Sequence, residues 1–232
     1  MKNIEIIPAI LPKDFDDLER KLALLKDVFS ILGDKEKPIV QVDLCDGLFV
    51  PAKTWPFSEG NSFEELIKFG DNFDFEIDLF VKDSKDLVAK FQKIGVKRIV
   101  LNIKSLGEQF PSELFNNFDV ESTQFGFSVN LEIPTKCLDQ YVRDADFFQF
   151  MGISKVGYQG EKFNPEVLKK IRAFRANNPE VIISVDGGVN LKNAKSLILA
   201  GANRLVVGSA LFGNNEAEEI ADIMREFRKY GE

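Results

Sequence analysis

Three aspartates interrupt or end apolar runs far apart in the sequence, and their side chains are well suited to chemistry. Asp43 ends the run IVQVD, Asp78 interrupts FDFEIDLFV, and Asp186 ends VIISVD. If these runs are strands of one barrel, three negative charges share a small space and need a cation, bound protons or outward rotation. Gln41 lies two residues before Asp43 and therefore faces the same side of its strand. The pattern predicts a polar site, although any single aspartate could merely cap a loop.

Glycines follow the last two predicted strands and suit the binding of an anion. Gly187 and Gly188 come after the seventh strand, and Gly208 and Ser209 come after the eighth. Backbone N–H groups in such turns, beside the start of a helix, can surround a phosphate, and barrels often bind phosphate at this place. Either pair alone could be an ordinary tight turn. Together they predict a phosphate site.

Apolar periodicity predicts the elements that position these residues. Strands are predicted at residues 4–10, 39–43, 73–81, 98–103, 125–130, 145–151, 181–186 and 203–207. Helices are predicted at residues 14–32, 63–69, 85–94, 113–118, 134–141, 165–174, 190–200 and 216–228. Asp14, Ser62 and Asn190 are of the residue types that cap the first turn of a helix.

This alternation of strands and helices predicts an α/β fold, a single-domain (β/α)8 TIM barrel spanning residues 1–232. An open doubly wound sheet is disfavoured, because residues 11–14 after the first strand carry no dinucleotide-binding glycines. The carboxyl ends of barrel strands converge at one mouth. We therefore expect Asp43, Asp78 and Asp186 to lie together.

Composition excludes several classes of function. The chain has 30 Lys and Arg against 37 Asp and Glu, and a net charge of −7 disfavours nucleic acid and anionic membranes as partners. Two cysteines give no disulfide framework, and the start MKNIEIIPAILP suits neither a signal peptide nor a membrane span, so a cytoplasmic location is expected. The chain has no histidine, which excludes imidazole chemistry. The 22 Phe residues suit a core or a homo-oligomer interface, so self-association is left open.

Four segments, in order along nearly the whole chain, resemble the ribulose-phosphate 3-epimerase family. They are PAIL at residues 8–11 with the following Asp14 and Phe15, VDLCDGLFVP at 42–51, DGGV at 186–189 and GSALFG at 208–213. The resemblance implies a (β/α)8 barrel that interconverts pentulose 5-phosphates and binds a small phosphorylated sugar. It implies that Asp43 and Asp186 are the two catalytic aspartates. It also implies that the loop containing Gly157 and Gly160 covers the phosphate.

The sequence departs from the family pattern where the family binds its divalent metal. Gln41 and Asp78 stand where the family has two metal-binding histidines, beside the two aspartates. The ligand set implied for this chain is therefore Gln41, Asp43, Asp78 and Asp186. A shell of oxygen atoms favours Mg, Mn or Ca over Zn. Further departures occur at Ala9, Cys45, Phe80 and Asn102.

The chemistry of the family needs two acids that flank the carbon beside a ketone, one to remove a proton and one to return it. Asp43 and Asp186 could do this, but the enediolate formed in between also needs positive charge near its oxygens. The altered ligands therefore leave two hypotheses. One is an epimerase that uses a divalent metal or none, and the other is an inactive member that binds a sugar phosphate without turnover. A Schiff-base aldolase using Lys104 or Lys155 is disfavoured, because lysines near loops are usually solvated.

Overall fold

A computed structural model describes residues 4–58, 62–107, 120–158, 160–213 and 216–231. Eight parallel strands form a closed barrel in chain order, and the first strand pairs with the eighth. The predicted TIM-barrel class is confirmed, and each predicted strand bound lies within about two residues of the observed one. The strands are β1 (Glu5–Ile10), β2 (Ile39–Cys45), β3 (Asp74–Phe80), β4 (Arg98–Asn102), β5 (Gln124–Val129), β6 (Phe147–Met151), β7 (Ile182–Asp186) and β8 (Arg204–Val207).

Helices cover the outside of the barrel, and the main predicted ones are confirmed. The Asp14 side chain caps the first helix by accepting a hydrogen bond from the Asp17 N–H at 2.7 Å. Asn190 caps a later helix in a reciprocal capping box with Asn193. None of the helices among the described residues has both the length and the hydropathy to cross a membrane. The helices are α1 (Phe15–Leu32), α2 (Lys85–Lys93), α3 (Ile103–Leu106), α4 (Glu166–Asn177), α5 (Leu191–Ala200) and α6 (Ala217–Lys229).

Three helix predictions need correction or lie outside the described residues. The helix predicted at residues 134–141 is shorter than expected, since only Thr135–Leu138 is helical, and it is a 3-10 helix. Only Leu138 of these four residues is buried, so the segment has no apolar stripe to hold a longer helix. The helix predicted at 63–69 is confirmed in its bounds as the 3-10 helix Phe63–Phe69, but the predicted cap was wrong, because the Ser62 side chain makes no capping hydrogen bond to it. The predicted helix at 113–118 lies in a range that the structure does not describe.

The apolar core lies between the barrel and its helices. Phe148 and Phe150 on β6 point outward and pack against Phe174 on α4, with ring centroids 4.9 and 5.5 Å apart. Burying a large apolar side chain contributes about 1.5–3 kcal/mol, so this layer supplies much of the driving force for folding. It holds the strands that carry the site.

The base of the barrel interior is filled by charged groups instead of the aliphatic layers that are usual in this fold. Arg98 contacts Glu5 at 3.1 Å and Glu76 at 3.4 Å, and Arg204 contacts Glu5 at 2.9 Å. The Arg204 guanidinium also lies 4.8 Å from the centre of the Phe147 ring. We call Glu5, Glu76, Arg98 and Arg204 the basal ion network. It joins β1, β3, β4 and β8 at the end of the barrel away from the mouth.

Candidate active site

The strand ends at the mouth bring Asp43, Asp78 and Asp186 together. One carboxylate oxygen of each residue lies within 4.8 Å of those of the other two. Asp43 and Asp78 are register partners on the paired strands β2 and β3, whereas Asp186 approaches from β7. We call these three residues the aspartate cluster. The expected convergence of the three side chains is therefore confirmed.

Two buried glutamine amides support the cluster from below. The Gln41 Nε2 donates a hydrogen bond to Asp43 Oδ1 at 2.7 Å, and the Gln149 Nε2 donates one to Asp78 Oδ2 at 2.7 Å. Sequence reasoning missed Gln149, which lies in the apolar run FFQFM. The sequence did contain a signal for Gln149. Strand side chains alternate in direction, so a glutamine between the outward-facing Phe148 and Phe150 must point into the barrel.

A pocket opens at the mouth above the cluster, and Asp43 and Asp186 are part of its wall. Gln41 and Asp78 lie beneath it, since neither exposes any surface to solvent. The six residues predicted to bind phosphate all line the same pocket: Gly157, Gly160, Gly187, Gly188, Gly208 and Ser209. We call these six residues the glycine rim. The structure thus brings two of the aspartates and the whole glycine rim to one cavity.

The backbone of the rim requires glycine at specific positions. Gly188 has φ +67°, and a Cβ there would lie 2.9 Å from the backbone of Phe163. Gly157 has φ +87°, and a Cβ there would lie 2.8 Å from the Val50 side chain. Positive φ and close neighbours both exclude larger residues. Gly187 has an additional role, because its N–H hydrogen-bonds to the Asp186 carboxylate.

Burial raises the pKa of every carboxyl group in the cluster. For Asp43, burial has the largest effect on the pKa and the charge of Asp186 adds to it, while the hydrogen bond from Gln41 opposes it. For Asp78, burial and then the charges of the other two aspartates raise the pKa, and the Gln149 hydrogen bond lowers it. For Asp186, burial raises the pKa from 3.8 to about 7, against the Gly187 and Gln41 hydrogen bonds. A carboxyl group with a pKa near 7 can give or take a proton at neutral pH.

The donor atoms of the cluster fit a hard divalent cation. Among the described residues, Asp78 Oδ1 and the Oε1 atoms of Gln41 and Gln149 are buried without a hydrogen-bond partner. Unpaired buried acceptors are costly, and a bound cation would satisfy them. Together with the carboxylates of the cluster, Asp78 Oδ1 and Gln41 Oε1 form an oxygen set that suits Mg, Mn or Ca. Burial raises the pKa of the nearby Cys45 thiol, so Cys45 offers no thiolate.

Neither lysine of the aldolase hypothesis is placed for covalent chemistry. Lys104 is exposed, and its ammonium pairs with Glu132 at 3.2 Å. Lys155 is exposed on the loop after β6. Neither is among the described residues that line the mouth pocket. A Schiff base with a ligand in this pocket therefore has no suitably placed amine from these two residues.

Fold and site together define a (β/α)8 barrel with an acidic centre at its mouth, beside a glycine-rich rim. The model of the ribulose-phosphate 3 epimerase family matches residues 5–212, and the chain belongs to this family. It is 26% identical over 227 residues to ribulose-phosphate 3-epimerase of Bacillus subtilis, covering 96% of this chain and 98% of that one. It is 28% identical over 227 residues to the Synechocystis protein of the same name, covering 96% and 94%.

Solved structures at lower identity support the fold. A mutant tryptophan synthase α-subunit from Pyrococcus furiosus matches with a TM-score of 0.68 at 18% identity, over 97% of this chain and 98% of that one. The structure of 3-hexulose-6-phosphate synthase matches with a TM-score of 0.62 at 18% identity, over 98% and 99%. These similarities concern the barrel and not its chemistry.

Proposed function

We propose that the protein is a sugar-phosphate 3-epimerase that interconverts ribulose 5-phosphate and xylulose 5-phosphate by proton transfer between two aspartates. One observation carries this proposal: Asp43 and Asp186 are the members of the cluster that line the pocket, and both have a raised pKa. Asp78 is fully buried and does not line the pocket. Membership of the family and relatives named ribulose-phosphate 3-epimerase support the same activity.

Epimerisation at carbon 3 needs two proton transfers on opposite faces of the sugar. One carboxylate removes the C3 proton, and the C–H electron pair forms a C2=C3 double bond while the C2=O π pair moves onto the oxygen, which gives an enediolate. The carbonyl then re-forms as the other carboxyl group returns a proton to the opposite face of C3. Asp43 is on β2 and Asp186 is on β7, and the strands β1 and β8 lie between them. The two carboxyl groups therefore approach a bound sugar from different sides. A divalent cation held by Gln41 and the aspartate cluster would supply positive charge near the enediolate oxygens.

The glycine rim would hold the phosphate group. Its turns allow close backbone approach, as shown by the positive φ of Gly157 and Gly188. After β8 the N–H groups of Leu211 and Phe212 bond to the Gly208 carbonyl, which makes a helical turn at the rim. Free N–H groups at the start of such a turn attract an anion.

The proposed activity is tested by hydrogen exchange with solvent. Purified protein in D₂O with ribulose 5-phosphate and Mg²⁺ or Mn²⁺ should incorporate deuterium at carbon 3 and form the epimer. Asp43→Asn and Asp186→Asn should each abolish exchange, because amides cannot transfer the proton. Both variants should bind inorganic phosphate nearly as the wild type does, since neither side chain belongs to the glycine rim.

The inactive-member hypothesis predicts a different result. It is favoured by one observation, that the positions of the family's histidines hold Gln41 and Asp78, which hydrogen-bond within the barrel. A protein that binds ribulose 5-phosphate, yet gives neither exchange nor epimer with several divalent metals, would be a sugar-phosphate-binding barrel. A crystal grown in phosphate with no anion at the glycine rim would contradict both hypotheses.

A further inference from the structure

Gln149 makes a hydrogen bond that crosses the interior of the barrel. It lies on β6, and its partner Asp78 lies on β3, with β4 and β5 between them. The two residues are 71 positions apart in the sequence, and neither side chain is exposed to solvent. The contact therefore forms only in the closed barrel and is not a local feature of one strand.

The burial of the Gln149 amide is costly, because one of its two polar atoms has no hydrogen-bond partner among the described residues. Burying an amide group without its hydrogen bonds costs about 1–3 kcal/mol. The Gln149 Nε2 has Asp78 as its acceptor, but within the described part of the chain the Gln149 Oε1 has no donor. Asp78 is in the same state, because its Oδ2 accepts from Gln149 while its Oδ1 has no partner among the described residues. Each partner of this hydrogen bond thus keeps one buried acceptor that has no donor among the described residues, Oε1 in Gln149 and Oδ1 in Asp78.

We propose that Gln149 is a positioning residue that holds Asp78 so that the aspartate cluster can bind a divalent cation. A carboxylate can only accept hydrogen bonds, so the Gln149 N–H group fixes Oδ2 and leaves Oδ1 available to the cation. The proposal deepens the proposed function, on which it rests, because it concerns the same site. Residues that orient a metal ligand typically change metal affinity by about 10- to 100-fold when they are substituted.

The first test is Mn²⁺ affinity, measured by titration calorimetry on the metal-free full chain. Gln149→Met keeps the length of the side chain and removes the amide, and we expect Mn²⁺ to bind at least about 10-fold more weakly. The matched control is Phe150→Leu, at the next position of the same strand but facing α4, and it should bind Mn²⁺ with wild-type affinity. Gln149→Asn, whose amide is too short to reach Asp78, should behave like Gln149→Met and serves if that variant fails to fold.

A double-mutant cycle separates positioning from packing. If Gln149 acts through Asp78, adding Gln149→Met to Asp78→Asn should cause no further loss of Mn²⁺ affinity. The proposal would be overturned if Gln149→Met lowered Mn²⁺ affinity equally in the wild type and in Asp78→Asn. It would also be overturned if Gln149→Met bound Mn²⁺ with wild-type affinity, or if the wild type did not bind Mn²⁺.

The proposed function is judged separately by deuterium exchange. If the wild type exchanges deuterium but does not bind Mn²⁺, the proposed role of Gln149 is overturned and the proposed epimerase activity stands. If Mn²⁺ binding depends on Gln149 but the protein shows no exchange, the proposed activity is overturned and the role of Gln149 stands.

Discussion

Replacing Asp186 by asparagine should stabilise the metal-free protein at pH 8 while abolishing its proposed activity. Burial raises the pKa of Asp186 from 3.8 to about 7, so the folded protein holds this proton more tightly than the unfolded chain does. The contribution of Asp186 to stability is therefore greatest below about pH 4 and is lost as the pH rises from about 4 to about 7. The shift corresponds to at most about 4 kcal/mol. Asparagine has a similar shape, can still accept from the Gly187 N–H, and never carries the charge.

We expect Asp186→Asn to be more stable than the wild type by about 2–4 kcal/mol at pH 8, a rise in Tm of about 5–15 °C. The difference should largely vanish at pH 4. Urea unfolding in a metal chelator, followed by circular dichroism at pH 4, 6 and 8, measures it. Asp71→Asn, at an exposed aspartate, is the control and should show no such dependence. A stability difference that stays constant with pH, or a variant less stable at pH 8, would refute the reasoning.

Three further predictions concern the metal ligands, the glycine rim and the helix layer. Gln41→His combined with Asp78→His should bind Zn²⁺ tightly, since imidazole suits zinc better than amide or carboxylate oxygen does, and should raise the rate of deuterium exchange. Unchanged zinc affinity by calorimetry would contradict this. Gly188→Ala should weaken phosphate binding by about 10-fold or more and lower the Tm, because its methyl group has no room at a positive φ; calorimetry and thermal melts measure both effects. Arg175→Met should cost about 1–3 kcal/mol in urea unfolding, because the guanidinium donates to several backbone carbonyls. Exposed Arg172 on the same helix is the control, and Arg172→Met should cost under about 0.5 kcal/mol.

The barrel could be predicted because its strands are buried on both faces. On β4, for example, Ile99, Val100 and Leu101 are consecutive apolar residues with no exposed surface, and the turn and helix signals between the strands are regular. The convergence of the aspartate cluster followed from the fold, since strand ends meet at the mouth wherever they lie in the sequence. The short segment at 134–141 could not be predicted as well, because so few apolar residues do not distinguish an α-helix from a 3-10 helix.

The partners of the cluster were harder to predict than its members. Gln41 is two residues from Asp43, so strand alternation alone places the two together. Gln149 meets Asp78 only because the barrel closes, and a cross-barrel contact leaves no spacing in the sequence. The raised pKa values of the aspartate cluster could not be predicted from the sequence either, because they depend on burial, which the sequence does not show.

The basal ion network suggests how such a barrel can change its ligand chemistry over evolutionary time. Two arginines and two glutamates balance in charge at the base and join four strands without using any residue of the aspartate cluster. Of the strands that hold the cluster, only β3 also contributes to the network, through Glu76. Substitutions at the mouth can therefore be selected for what they bind, while the opposite end continues to support the fold. The histidine-free site of this chain is one such mouth, standing on a closed barrel.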